Sequence, residues 1–166
     1  NLEQAYILDL AKSSNGREAE YLSLARMIAH KTYISLELLS SRAKDESKYD
    51  KNFLEGFLST SQESYMMHQG EKFIQRFTLE SYNSIIKGWQ NFYIDTKEIK
   101  KLENINVLII SVDSDVCFYP EEQVEFENLL KENGIKTTVK DINSTKGHDC
   151  FLLEPELFEK EFQNFI

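Results

Sequence analysis

The chain has 166 residues, 41% of them hydrophobic and 28% charged, a composition typical of one globular domain that can bury a core. Its formal net charge of −9 argues against nucleic acid or an anionic membrane as partner, and no apolar run approaches the roughly 20 residues that span a bilayer. The start has no signal-peptide pattern and the two cysteines make no disulfide framework, so we expect a cytoplasmic protein.

Helical periodicity dominates the first 95 residues. The spacing of apolar residues predicts three helices, over 1–13, 17–33 and 34–43, and the polar residues 44–52 predict a loop. One or two helices follow over 50–77 and another over 79–93. Gly70 costs about 1 kcal/mol relative to Ala inside a helix, so it indicates a close-packing point or a break. Thr96 is predicted to cap a short turn.

The pattern changes to that of strands after residue 104. Apolar residues predict a buried strand over 106–112, and a second strand is predicted over 137–142. A helix over 120–132 joins them, and a closing helix covers 155–165. Two strands cannot complete a doubly wound parallel sheet, because its strands need neighbours at both edges. We therefore expect further strands upstream, or a dimer that covers the exposed edge.

A carboxylate and an imidazole follow the two predicted strands. Asp115 comes after the first strand, and His148 comes one βαβ unit later. The carboxyl ends of parallel strands lie at the edge where open α/β sheets place their sites. In α/β-hydrolases the catalytic triad runs in the chain order Ser, Asp or Glu, His. From the residues alone, Asp115 could equally be a turn aspartate, and His148 a loop histidine bonded to nearby backbone.

Three segments of the chain resemble the homoserine O-acetyltransferase family, which has the α/β-hydrolase fold. They are LARMIAHKTY at 24–33, ESYMMHQGEKFIQRF at 63–77 with SY at 81–82, and the pair SDVCFYPEEQ and GHDCFLLE. Their order and rough spacing also agree with the family. The resemblance implies an α/β fold made of a helical lid and the C-terminal βαβα portion of an α/β-hydrolase, with an incomplete sheet.

The resemblance also implies a division of the chain and a set of partners. Residues 1–17 would be a connecting helix, residues 18–95 the helical lid and dimerisation region, and residues 96–166 the C-terminal part of the hydrolase domain. The substrates would be L-homoserine and acetyl-CoA, the latter as co-substrate, with no bound cofactor. The protein would be a homodimer through its lid helices.

Five residues take functional roles through this resemblance. Asp115 and His148 would be the acid and the base of the triad. Arg26 would hold the substrate carboxylate, Tyr33 would line the same pocket, and Asp149 would bind the amino group of homoserine. The last three residues also have plainer interpretations. Arg26 could be a snorkelling or paired side chain, Tyr33 a packing residue, and Asp149 a helix cap.

The sequence departs from the family in two places. Val116 and Cys117 replace the Trp-Leu that usually follows the triad aspartate, and no Gly-x-Ser-x-Gly motif occurs in the 166 residues. Together with a first residue other than Met, this leads us to expect a C-terminal half that is inactive alone. The nucleophile and oxyanion hole would lie upstream.

Other polar residues are expected to be structural. His30 and His68 have no metal-ligand spacing to each other or to a cysteine, so no metal site is expected. Cys117 and Cys150 are expected to be small buried hydrophobes, and Phe73 and Phe77 to be core or dimer contacts.

The expected function is acetyl transfer from acetyl-CoA to L-homoserine in methionine biosynthesis, by ping-pong kinetics through an acyl-serine. One alternative is a related O-acyltransferase that uses succinyl-CoA or serine. Another is a non-catalytic dimerising module, which the missing serine favours and the retained Asp115, His148 and Asp149 oppose.

Overall fold

A computed structural model describes residues 2–46 and 60–165 of the chain. The described residues form two compact units. The first, the helical unit, lies within 1–31 and 36–92, and the second, the sheet unit, comprises 32–35 and the described part of 93–166. No helix in the described ranges is long and apolar enough to cross a membrane.

The helices of the first half have the following bounds: α1 Leu2–Lys12, α2 Glu18–Tyr33, α3 Leu36–Glu46, α4 Ser61–Ile74 and α5 Leu79–Gln90. The predicted helices over 1–13, 17–33 and 79–93 are confirmed. The third helix begins at Leu36 rather than at residue 34, and the Ser35 N–H just before it donates to the Lys146 carbonyl. It also includes Lys44–Glu46, which the sequence assigned to a loop; the rest of that loop lies outside the described residues.

Side-chain caps explain where two of these helices begin. Thr60 accepts a hydrogen bond from the Glu63 N–H, and the Glu63 carboxylate accepts one from the Thr60 N–H, which together form a capping box for α4. Thr78 and Ser81 make the same reciprocal pair at the start of α5. Each pair satisfies backbone donors that the first helical turn leaves without partners.

The core of the helical unit is built from apolar faces of α1, α2, α4 and α5. Phe73 is one of its buried members, stacked on Phe77 with ring centroids 4.4 Å apart and in edge contact with Tyr82 at 4.9 Å. Phe73 and Phe77 are therefore packing residues, as expected. The buried members of the cluster are Ile7, Leu8, Leu22, Ala25, Phe73, Tyr82 and Ile86.

Gly70 is a close-packing point between α4 and α2. A Cβ atom built on Gly70 would lie 2.1 Å from Ser23 Oγ, 3.1 Å from the Ser23 carbonyl oxygen and 3.2 Å from Ser23 Cβ. Because α4 continues to Ile74, the glycine does not break the helix. Of the two predicted roles, the close-packing point is thus confirmed and the break is not.

Gly70 and Gly88 both lie in helices, but their different surroundings predict opposite effects of an alanine substitution on stability. Gly70→Ala should lower the free energy of unfolding by about 1–3 kcal/mol, because Ser23 and its backbone must move apart from the new methyl group. Gly88→Ala in α5, where a Cβ meets nothing within 4 Å, should raise it by about 0.5–1 kcal/mol. Urea denaturation measures both, and a stabilised Gly70→Ala variant would contradict the packing described here.

The elements of the second half are α6 Thr96–Lys100, β1 Val107–Val112, α7 Pro120–Glu132, β2 Thr137–Ile142, α8 Cys150–Leu153 and α9 Pro155–Phe165. Both predicted strands and the helices that begin with proline are confirmed. The cap of α6 is Asp95, whose Oδ1 accepts from the Glu98 N–H at 2.9 Å, so the prediction that Thr96 caps this turn is wrong. The short helix α8 follows Asp149, which the sequence suggested as a helix cap.

Strands β1 and β2 pair in parallel, with Val107 opposite Thr137 and Val112 opposite Ile142. Within the described residues the sheet has these two strands, and both are only partly covered, with Asp141 exposed. One face packs on α6 and α7 through Ile99, Ile109, Leu130 and Ile135. The other packs on α8 and α9 through Val112, Ile142, Cys150, Ile110 and Phe158.

Candidate active site

Two loops leave the same edge of the sheet, because β1 and β2 are parallel and in register. The Asp loop, residues 113–119, follows β1, and the His loop, residues 143–149, follows β2. The Asp113 N–H donates to the Ile142 carbonyl at 3.1 Å, which extends the strand pairing by one residue. The two loops therefore begin side by side.

Asp115 and His148 form a hydrogen-bonded pair between these loops. His148 Nδ1 lies 2.8 Å from Asp115 Oδ2, and Asp115 is buried, with 7% of its surface exposed. The second carboxylate oxygen, Oδ1, accepts the N–H groups of Cys117 at 2.7 Å and Phe118 at 2.9 Å. Since an ionised carboxylate only accepts, His148 carries a proton on Nδ1, and in the neutral ring Nε2 keeps its lone pair.

Three aromatic rings surround the imidazole of His148. The centroid of Phe118 lies 5.1 Å from it, that of Phe151 5.8 Å and that of Tyr33 6.2 Å. A cavity of about 480 Å³ beside the pair has a mostly apolar lining. The lining residues beyond the pair include Ile94, Ile110, Phe118, Phe126, Phe151 and Phe158. The imidazole therefore faces a mostly apolar cavity and keeps 25% of its side chain exposed.

The contact between the two groups moves the pKa of each. Burial, the largest influence on Asp115, raises the pKa of its carboxyl, but the hydrogen bonds from His148, Phe118 and Cys117 outweigh it and hold that pKa below the ordinary value. The hydrogen bond to Asp115 raises the pKa of His148, against the opposing effect of burial. The pair is therefore most strongly held when the carboxyl is ionised and the imidazole protonated.

These shifts predict a pH-dependent stability. The lowered pKa of Asp115 gives stability that is present above about pH 4 and is lost as the pH falls further. The raised pKa of His148 gives stability that is present below about pH 6.5 and is lost as the pH rises through the raised value. The destabilisation caused by Asp115→Ala should therefore be largest near pH 5 and smaller near pH 9. Urea denaturation at both pH values checks this, and equal destabilisation would contradict an ionic contribution from the pair.

Two further predicted site residues lie beside the pair. Tyr33 is the last residue of α2 and belongs to the sheet unit. Its carbonyl accepts the Asp149 N–H at 2.9 Å. Asp149 stands at the N-cap position of α8 but makes no side-chain capping bond there, so its alternative role as a cap is not supported. The structure thus brings Tyr33, Asp115, His148 and Asp149 together.

Arg26 belongs to the helical unit, on α2. Its guanidinium carbon lies 5.2 Å from the centroid of the Phe73 ring, and its Nη2 lies 3.5 Å from His30 Nδ1. His30 is buried, and its Nε2 lies 3.1 Å from the Tyr65 hydroxyl. The pKa of His30 is lowered to about 4, mainly by burial and to a smaller extent by the charges of Arg26 and Arg42. This packing histidine is therefore neutral at physiological pH.

The cysteines near the pair are not activated thiols. Burial raises the pKa of Cys150 to about 11 and also raises the pKa of Cys117, so neither is a thiolate at neutral pH. Cys150 is fully buried, as expected, whereas Cys117 is only partly buried. Across residues 2–46 and 60–165, no group of three or more acidic, histidine or cysteine side chains could hold a metal ion.

The sequence did not single out Phe118, Phe151 or Ser114, all of which contact the pair or its loops. The only available signal was their proximity in the chain to Asp115 and His148. Phe118 and Phe151 follow the two site residues by three positions each. Ser114 directly precedes Asp115 and bonds to the His loop.

The fold and this strand-end pair define a portion of an α/β-hydrolase. A crystal structure of homoserine O-acetyltransferase from Bacillus anthracis matches 98% of this chain over 46% of its own, with a TM-score of 0.75 and 18% identity. Esterase E22 matches 98% of this chain over 48% of its own, with a TM-score of 0.79 and 12% identity. The predicted fold class is confirmed.

No family model matches the sequence, whereas individual relatives do. The homoserine O-acetyltransferase of Methanococcus vannielii is 33% identical over 82% of this chain and 29% of the relative. That of Methanosphaera stadtmanae is 32% identical over 87% of this chain and 31% of the relative. That of Caulobacter vibrioides is 30% identical over 90% of this chain and 41% of the relative.

The chain belongs to the homoserine O-acetyltransferase family, and the resemblance found in its sequence is confirmed. It spans between 29% and 41% of the length of these three curated relatives.

Proposed function

We propose that this chain is the lid and C-terminal catalytic portion of an enzyme that transfers the acetyl group of acetyl-CoA to the hydroxyl of L-homoserine, giving O-acetyl-L-homoserine and CoA. The observation that carries the proposal is the hydrogen-bonded Asp115–His148 pair at the strand ends of a chain of this family. Because the chain covers only part of its relatives' length, the nucleophilic serine and the oxyanion donors are proposed to lie outside these residues. On this proposal the 166 residues alone are inactive.

In the first half-reaction, the serine oxygen attacks the thioester carbonyl of acetyl-CoA while His148 Nε2 takes the serine proton. The tetrahedral intermediate collapses, the carbon–sulfur bond breaks, and the imidazolium gives its proton to the departing thiolate. Asp115 keeps the imidazole in the Nδ1–H tautomer and stabilises the imidazolium. The product of this step is an acetyl-serine.

In the second half-reaction, the same Nε2 takes the proton of the homoserine hydroxyl as that oxygen attacks the acetyl-serine carbonyl. The bond to the serine oxygen breaks, and the serine regains its proton from His148. Since one imidazole acts in both halves, any change to His148 should affect both. Ping-pong kinetics follow from the covalent intermediate.

The acceptor is proposed to be held by its two charged groups. Arg26 would bind the homoserine carboxylate through charge-assisted hydrogen bonds, and Asp149 would bind the ammonium group. Tyr33 would line the same site, and its position beside His148 supports this role. Water competes with homoserine for the acetyl-serine, so a firm hold on the acceptor favours transfer over hydrolysis.

The domain assignment remains part of this proposal. Residues 18–95 would act as the lid and dimer contact, preceded by a connecting helix at 1–17 and followed by the hydrolase portion at 96–166. The cytoplasmic location expected from the sequence, and the place of the enzyme in methionine biosynthesis, are likewise proposed.

The role of Arg26 predicts a selective kinetic effect. In the complete protein, Arg26→Ala should raise the KM for homoserine by about 10- to 100-fold, the loss expected for charged hydrogen bonds to a carboxylate. The acetyl-CoA half-reaction should change little. Arg17→Ala is the control, because Arg17 is an exposed arginine already paired with Glu20 at 2.7 Å. An unaltered homoserine KM would remove Arg26 from the site.

A steady-state assay of the complete protein tests the reaction itself. Acetyl-CoA and succinyl-CoA are compared as donors, and homoserine and serine as acceptors. We expect the highest kcat/KM with acetyl-CoA and homoserine. A preference for succinyl-CoA or for serine would assign the related acyltransferase instead, and no transfer with any pair would favour a non-catalytic module.

A further inference from the structure

The Asp loop and the His loop are joined by a hydroxyl group that the reaction itself does not use. Ser114 Oγ donates to the Ser144 carbonyl at 2.5 Å and accepts the Gly147 N–H at 3.0 Å. A hydroxyl has one proton and two lone pairs, so it can make both bonds at once. One side chain next to Asp115 therefore holds the His loop at two points.

The beginning of the His loop, at Ser144, is also held by hydrogen bonds that do not involve Ser114. The Ser144 N–H donates to Asp113 Oδ1 at 3.0 Å, and Ser144 Oγ donates to Glu154 Oε2 at 2.5 Å. Ser144 is itself buried, with 6% of its surface exposed. Loss of the Ser114 hydroxyl would leave this end in place, so its main effect falls on Gly147.

Gly147 directly precedes His148 and is confined from a second side. Its φ of +76° is in the left-handed region, and a Cβ built on it would lie 2.7 Å from the Ser35 nitrogen and 3.0 Å from the Ile34 carbonyl carbon. The Ser35 N–H also donates to the Lys146 carbonyl at 3.3 Å. The backbone before His148 thus contacts both residues 34–35 and the Ser114 hydroxyl.

We propose that Ser114 is a positioning residue for the base: its hydroxyl fastens Gly147, and thereby holds the imidazole of His148 at the Asp115 carboxylate. Ser114 is not one of the residues that line the cavity beside the pair. The inference rests on the proposed function only for the role of His148 as base. A displacement of a catalytic group by about 1 Å can cost about 100-fold in rate, so a loosened loop has a measurable effect.

The test is Ser114→Ala in the complete protein, with each half-reaction measured separately. We expect kcat to fall by about 10- to 100-fold in both halves, because one imidazole serves both, while the KM values for acetyl-CoA and homoserine stay within about twofold. Ser114→Thr, which restores a hydroxyl, should recover most of the lost kcat. Ser14→Ala is the matched control, since Ser14 Oγ makes a similar bond to the Ala11 carbonyl at 2.6 Å in the helical unit.

Several outcomes would overturn the inference. These are a kcat of folded Ser114→Ala within about twofold of wild type, an effect confined to one half-reaction or to KM, or a folded Ser114→Thr that is as slow as Ser114→Ala. Circular dichroism checks that each variant is folded. If Ser114→Ala does not fold, Ser114→Cys, whose thiol weakens both hydrogen bonds at similar volume, is judged by the same criteria.

A second substrate separates this inference from the proposed function. Hydrolysis of an aryl acetate requires the same base but no homoserine. If the wild-type protein hydrolyses the ester and transfers nothing to homoserine, the proposed acceptor is wrong, while the effect of Ser114→Ala on ester hydrolysis still decides the positioning role.

Discussion

His148→Asn in the complete protein is expected to lower kcat of acetyl transfer by about 10⁴-fold or more, the loss seen when a triad base is removed. An asparagine amide nitrogen can take the place of Nδ1 and still donate to Asp115, but the variant has no group at the position of Nε2. The substitution therefore removes proton transfer while it retains the bond that orders the two loops. Release of CoA from acetyl-CoA and transfer to homoserine should fall together.

The control for this variant is His68→Asn, which alters a histidine of α4 in the helical unit. It should leave kcat within about twofold of wild type. Retention of even a tenth of the wild-type kcat by folded His148→Asn would show that another group acts as base.

Asp115→Asn is expected to lower kcat by about 10³- to 10⁴-fold through a change of tautomer. Two backbone N–H groups, from Cys117 and Phe118, point at the position of Oδ1. The amide oxygen of the variant must occupy that position, because an NH₂ group there would face two donors. The NH₂ group then faces His148 Nδ1 and donates to it, so the imidazole proton moves to Nε2 and the base loses its lone pair.

The control here is Asp141→Asn, which removes the same charge from an exposed position on β2. It should stay within about twofold of wild type. The double variant D115N/H148N should be no slower than His148→Asn alone, because the two residues act as one unit. Additive losses would indicate that Asp115 acts independently of the imidazole.

The sequence predicted well those elements that depend on local pattern. The apolar run that ends at Val112 and the run rich in β-branched residues that ends at Ile142 have the length and composition typical of strands. Proline fixes the starts of α7 and α9, and Gly134, with a φ of +77°, ends α7. Because the connection is a βαβ unit, parallel pairing followed from the order of the elements.

Features set by contacts distant in sequence were not predictable in this way. Residues 34 and 35 fit a helical pattern, yet the Ser35 N–H bonds to the His loop more than 100 positions away. Asp95 and Thr96 are both good helix caps, and only the backbone geometry selects Asp95. Ser114 carries no periodic or compositional signal, since its importance arises from the approach of Gly147 through space.

The most direct test of the account is rapid mixing of the complete protein with acetyl-CoA in the absence of homoserine, followed by intact-mass analysis. We expect a burst of about one equivalent of CoA and one acetyl group on the protein that disappears when homoserine is added, with neither event in His148→Asn. Steady transfer to homoserine without an acetylated protein, or an unchanged burst in His148→Asn, would contradict the account.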